Sequence, residues 1–219
     1  LPVVPRCADA GEAARALAAG LETVGFLPNQ GRDGFARLWE LAEQYPGLTF
    51  LPDGVENADL GAYLAYDRVL YCAAYSLVPT DSIAAGRFDE ITALCAAAVS
   101  AMHGFALAHV GVNAQDEAEA QRCAELLAMM LGCSTRDAGK AVFTGEMVEW
   151  MKGPGAGRHG HIGFYANRVD RAMADLARKG FTSDPAREMR DAANRLTFCY
   201  LREEICGFAI HLMERGPRG

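Results

Sequence analysis

One order of elements occurs twice in the C-terminal half of this chain, and that repeat restricts the fold more than any other feature. FALAHVGVNA has the composition of a strand. DEAEAQRCAELLAMMLG follows as an amphipathic helix, with Ala120, Cys123, Ala124, Leu127 and Met130 at helical spacing. Its acidic start suits the helix dipole, and Gly132 is a fitting stop. KAVFTG and MVEWMKG continue as strands. After a glycine-rich link, GPGAGRHG, the order returns: HIGFYAN as a strand, VDRAMADLARKG as a helix ending in glycine, then FTSDP, RLTFCYL and GFAIHLME as strands. The plan is β-α-β-β-β, twice, over residues 105–219.

Residues 1–104 follow a different rule. Strand-like LPVVP, ETVGFLP, LTFLPDG and VLYCAAYS are followed in turn by the helical stretches DAGEAARALAAG, DGFARLWELAEQ, NADLGAYLAY and FDEITALCAAAVSAM. Strand then helix, four times, implies parallel strands with helical crossovers. Four such units are half of a (β/α)8 barrel. The expected fold class is therefore α/β plus α+β: a partial barrel of four β/α units, then the paired βαβββ domain. Four strands alone leave two raw edges. A partner is implied, whether a missing N-terminal half, a second copy or the other domain. The chain begins at Leu1 rather than Met, so a preceding segment is one expectation.

Composition narrows the function classes. A net charge of −7 and an isoelectric point near 5.3 argue against nucleic acid or an anionic membrane as the main partner. A small molecule or another protein fits better. The longest apolar stretch, Ile91 to Met102, is shorter than the ~20 residues a bilayer demands. The seven cysteines (7, 72, 95, 123, 133, 199 and 206) form no CxxC pair and suit reduced, buried thiols in a cytoplasmic protein.

Four residues carry the candidate chemistry: His109, Glu149, His161 and His211. Three of them are His in a chain with five, and all lie on strand-like stretches at matching places in the two repeats. Imidazole and carboxylate are the usual protein ligands of zinc, nickel, manganese or ferrous iron, so the four read as one divalent metal site. Glu149 alternates with the apolar Val148 and Trp150, and His211 with Ile210 and Leu212, so each faces away from its apolar neighbours. A glutamate facing an interior must be paired, protonated or bound to a metal. His159, two residues before His161, shares its face, and Arg158 could meet a substrate carboxylate bidentately. The GPGAGRHG segment lacks the Gly-Lys-Ser/Thr ending of a phosphate loop and reads as a module link. His103 is assigned no role.

Over 1–104, YPGLTFLPDGVENADLGAYLAYDRVLYCAAYSLVPTDSIAAGRFDEITAL resembles the end of the barrel of the 2-keto-3-deoxy-6-phosphogluconate/4-hydroxy-2-oxoglutarate aldolases. The resemblance implies a Schiff-base lysine on ETVGFLPN, where this chain has Gly25. Glycine offers no amine to attack a ketone, and the nearest lysine in sequence is Lys140. The family's phosphate cradle is altered as well. Gly54 and Val55 stand for a Gly-Gly pair, and Ala73, Ala74 and Tyr75 for Gly-Gly-Ser. The resemblance implies that its acid–base glutamate would lie in the other half of the barrel, outside these residues. The region is expected to be a scaffold that joins copies of the chain into a homo-oligomer, with Asp53 and Glu56 as turn and cap residues at a strand end.

Over 105–215 the paired modules resemble the vicinal oxygen chelate superfamily, which includes glyoxalase I, methylmalonyl-CoA epimerase, extradiol dioxygenases and fosfomycin-resistance proteins. LAHVGVNA, MVEWMKG, HGHIGFYAN and GFAIHLMER resemble its metal-bearing strands, which implies His109, Glu149, His161 and His211 as ligands. Many relatives carry Glu at the last position. The pairing with an aldolase half resembles the extra C-terminal domain fused to some of those aldolases. The resemblance implies a substrate held through two adjacent oxygens on one divalent metal, an anion such as an enolate stabilised there, and Glu149 as the base. A 2-oxo acid or keto sugar acid presents such a pair of oxygens. The expected activity is proton transfer, isomerisation or lyase chemistry on such an acid. Two alternatives stand beside it: an aldolase family member or fragment, inactive as a Schiff-base enzyme because of Gly25, and a non-catalytic binding or oligomerisation module.

Overall fold

The computed structural model describes residues 4–27 and 32–215, which fall into two compact units, 1–104 and 105–219. Leu1–Val3 of the first expected strand, Pro28 of the second and residues 216–219 lie outside the described residues.

The first unit holds three parallel strands, β1 (Arg6–Cys7), β2 (Thr23–Phe26) and β3 (Thr49–Pro52), in that order. Between them run α1 (Ala10–Ala18) and α2 (Arg32–Gln44); α3 (Leu60–Ala65), α4 (Thr80–Ala84) and α5 (Phe88–His103) follow. Asp9 caps α1 by accepting from the Glu12 amide at 2.8 Å, while Glu12 reaches back to the Ala8 amide at 2.7 Å. Val24, Phe26 and Phe50 of the sheet pack with Leu38, Ala42, Leu60 and Tyr63 of the helices, all fully buried or nearly so.

The expectation of four β/α units is corrected here. The stretch 69–76 makes only two isolated parallel bridges to β3, Phe50 with Val69 and Asp53 with Ala73. Three steps along β3 oppose four along its neighbour, so the register slips. Pro52 also lacks the N–H that a continuous ladder needs. The segment then winds into a 3-10 turn at Tyr75–Leu77.

The second unit is one eight-stranded sheet with two helices. Its elements are β4 (Ala106–Asn113), α6 (Glu117–Leu131), β5 (Thr135–Asp137), β6 (Ala141–Thr144), β7 (Val148–Met151), β8 (Gly160–Ala166), α7 (Val169–Arg178), β9 (Ser183–Arg190), β10 (Leu196–Ile205) and β11 (Phe208–Glu214). The order β-α-β-β-β thus occurs twice, with β5 a strand the sequence reading did not name. Across the sheet the order is β5-β6-β7-β4-β8-β11-β10-β9. Each module contributes four adjacent strands, and the seam is the antiparallel pair β4–β8. β9 runs through Pro185 because it is an edge strand, where a missing N–H costs least.

Both helices cover the same face. Ala172 and Met173 of α7 pack on Leu196, Cys199 and Leu212, and Thr144 of β6 donates to the Ala124 carbonyl of α6 at 3.0 Å. Asp116 and Glu119 cap α6 with the same reciprocal bonds seen at α1. All seven cysteines are free thiols. Burial holds for Cys7 and Cys199, but Cys206 is exposed, at φ 51° in the turn before β11. Among the described residues no helix is long and apolar enough to cross a membrane.

Candidate metal centre

Strand register decides which side chains meet. On the sheet face opposite the helices, Glu149 of β7, Gly111 of β4 and His161 of β8 lie in one cross-strand row. His109 of β4, Gly163 of β8 and His211 of β11 lie in the next. The four candidates therefore occupy the four central strands, two from each module, with a glycine between the members of each pair.

Their polar atoms converge. His109 Nε2 lies 3.1 Å from His161 Nε2 and 3.2 Å from His211 Nε2. Glu149 Oε2 lies 3.0 Å from His161 Nε2 and 3.3 Å from His109 Nε2. The three imidazoles can all offer a ligand atom within 4.8 Å of one another. His161 and His211 are buried, while His109 and Glu149 are nearly so, with side chains 14% and 19% exposed.

Two glycines make this approach possible. A methyl at Gly111 would overlap the His161 ring. One at Gly163 would sit 2.6 Å from His211 Nε2 and 2.9 Å from His109 Cε1. Neither residue is among the candidates legible from residue type alone. The available clue was the repeated His-x-Gly, His109-Val110-Gly111 and His161-Ile162-Gly163.

The protonation states follow from the surroundings. Burial pushes Glu149 up, but hydrogen bonds from His109 and His161, and their charge, outweigh it and hold the carboxyl at about 2. His211 is held down at about 3, first by burial and then by the two neighbouring imidazoles. An ionised Glu149 only accepts. Both His109 and His161 would then have to donate to it through Nε2, and their own 3.1 Å contact would set donor against donor. Hydrogen bonds cannot close that triangle. A cation at its centre turns every one of these lone pairs to advantage. Four ligands around a tetrahedral zinc stand about 3.3 Å apart, given Zn–N and Zn–O bonds near 2.0–2.1 Å, and the spacings here approach that value. The residues present thus fit a divalent ion. Nε2 is the atom each ring turns to the centre, and the Nδ1 atoms of His161 and His211 are buried with no hydrogen-bond partner among the described residues.

The remaining candidates lie elsewhere. Arg158 Nε donates to His159 Nε2 at 3.2 Å, and His159 packs on Phe208 with ring centroids 5.8 Å apart. Neither hydrogen-bonds to the four converging residues, among the described residues. In the first unit Asp53 pairs with Arg6 and accepts from Tyr75 Oη at 2.6 Å. Arg6 also lies across Gly25, its Cγ 3.2 Å from where a Cβ at that position would stand.

Comparison with known proteins bears mainly on the first unit. Residues 1–94 match the family described as "Aldolase: KDPG and KHG aldolase". The 2-dehydro-3-deoxy-phosphogluconate aldolase of Treponema pallidum (strain Nichols) is 40% identical over 95 residues, 43% of this chain and 45% of that protein. The KHG/KDPG aldolase of Escherichia coli (strain K12) is 31% identical over 100 residues, 45% of this chain and 47% of that protein. The chain spans less than half the length of the curated relatives it matches. Among solved structures, hypothetical protein BH1468 from Bacillus halodurans C-125 aligns with 52% of this chain and 97% of its own, at 11% identity and a TM-score of 0.38. Methylmalonyl-CoA epimerase from Mycobacterium tuberculosis aligns with 53% of this chain and 89% of its own, at 16% identity and a TM-score of 0.35.

Proposed function

We propose that the second unit is a metal-dependent, glyoxalase-like enzyme that moves a proton on, or cleaves, a 2-oxo acid or keto sugar acid. The single observation that carries this reading is the triangle of His109, His161 and Glu149, which hydrogen bonds cannot satisfy and a cation can. His109, Glu149, His161 and His211 would hold the ion. When bound, a divalent ion there supplies Lewis acidity toward a carbonyl oxygen and the anion that forms beside it. The rings of His161 and His211 keep water from two sides, being almost wholly buried. Glu149 is the carboxylate of the cluster and would act as the base by leaving the ion to take a proton from a carbon held next to it. The first unit would serve as the scaffold that joins copies of the chain, for Leu70, Tyr71 and Tyr75 stand about half exposed or more beside its interrupted edge.

Metal analysis of the tag-free full chain by mass spectrometry tests this. We expect about one divalent ion per chain, and a loss of about tenfold or more in His161→Ala and His211→Ala. Equal metal in both variants and in the parent chain would overturn the site.

A second reading, aldolase chemistry in the first unit, is favoured by the match over residues 1–94. Gly25 stands against it. Trapping with borohydride and a 2-oxo acid separates the two, because a covalent adduct requires a lysine nucleophile.

A further inference from the structure

The converging residues are flanked on both sides by an arginine lying over an aromatic ring. On one side Arg136 of β5 pairs in register with Phe143 of β6, and Phe143 with Glu149 of β7. The guanidinium carbon of Arg136 sits 4.6 Å from the Phe143 centroid, and that ring is 6.0 Å from His109. On the other side Tyr200 of β10 pairs with His211, their rings 5.0 Å apart, and Arg187 lies 5.4 Å over Tyr200. All these side chains share the face that carries the four candidate ligands.

The two arginines differ in what neutralises them. Arg187 has Asp184 within 3.6 Å. Arg136 makes no ion pair or hydrogen bond among the described residues; its contact is the face of Phe143. Stacking leaves the in-plane N–H groups of a guanidinium free to grip an oxyanion with two parallel bonds. The contacts through Phe143 bound the distance from that guanidinium to the His109 ring at about 11 Å. A short acid with one end at the centre and a second anionic group at the other spans such a gap.

We infer that Arg136 is a second anion-binding point of this site, so that the substrate is a 2-oxo acid bearing a further carboxylate or phosphate-like group at its far end. The inference rests on the metal-centre reading and deepens it. Phe143 acts as a positioning residue, its ring holding the guanidinium beside the centre.

The test uses the zinc-loaded full chain, its metal content measured in every variant, and isothermal titration with three probes: pyruvate, 2-oxoglutarate and phosphonopyruvate. We expect at least one of the two dianionic probes to bind about tenfold more tightly than pyruvate, the stronger of them identifying the distal group. Arg136→Gln should remove that preference and leave pyruvate affinity and zinc content unchanged. Arg187→Gln should keep the preference. Loss of zinc binding by the parent chain would sink the metal reading and this inference with it. Full zinc content without a preference for either dianion, a preference that survives Arg136→Gln, or one abolished by Arg187→Gln would overturn the Arg136 assignment alone.

Discussion

The chemistry of the centre is set by what four side chains do to one another's protons. His211 resists protonation because it is buried and lies against two other imidazoles, with its value held at about 3 against an ordinary 6.5. The unfolded ring therefore takes a proton that the folded ring refuses, and stability falls as pH is lowered through that interval. Glu149, held at about 2 against 4.5, adds a loss of the same sign below its unfolded value. Melts of the metal-free chain followed by hydrogen exchange should show β8 and β11 opening at lower temperature at about pH 4 than at about pH 7. A flat profile would mean the rings are not held neutral. Gly111 and Gly163 make a sharper case. Gly163→Ala should abolish metal uptake and cost about 1–3 kcal/mol through overpacking, with the circular dichroism spectrum retained. Unchanged metal content in that variant would show that the rings can yield. The residue types at 109, 149, 161 and 211 were legible in the sequence, because alternation along a strand marks which ones face away from apolar neighbours. The glycines were not, since their role appears only once two strands lie side by side.

At the scale of elements, register carries what composition cannot. The helices were legible from apolar spacing, and the structure adds the reciprocal caps at Asp9–Glu12 and Asp116–Glu119. Asp116→Ala should lower stability by about 1 kcal/mol, read as a shift in the denaturant midpoint of the second unit; no shift would mean the cap is redundant there. The edge strands were harder. β5 has only three residues, and β9 carries a proline, so neither announces itself. The fourth expected strand of the first unit has suitable composition, yet Pro52 and a one-residue slip reduce it to two bridges. Arg136 and Arg187 went unnoticed for a related reason. Arg136 on β5 lies two strands before Glu149 on β7, and Arg187 on β9 two strands before His211 on β11, and only the ladder brings them to one face.

For the molecule as a whole, the two units call for separate chemistry. The first is similar to an aldolase family over 1–94 but has a glycine where the resemblance implies the reactive lysine, with Arg6 across the gap. Restoring the amine by Gly25→Lys should yield no borohydride-trapped adduct, because the new side chain must displace Arg6 from Asp53; an adduct would show that the first unit can still support Schiff-base chemistry. The second unit has a property that comes from its seam alone. Two of its converging residues precede the glycine-rich link at 153–160 and two follow it, and β4 and β8 join the halves through an antiparallel backbone ladder with those side chains meeting across it. Cleaved in that link, the halves should reassociate in proportion to free zinc and fall apart in a chelator, making the ion a reversible clasp between separately made pieces.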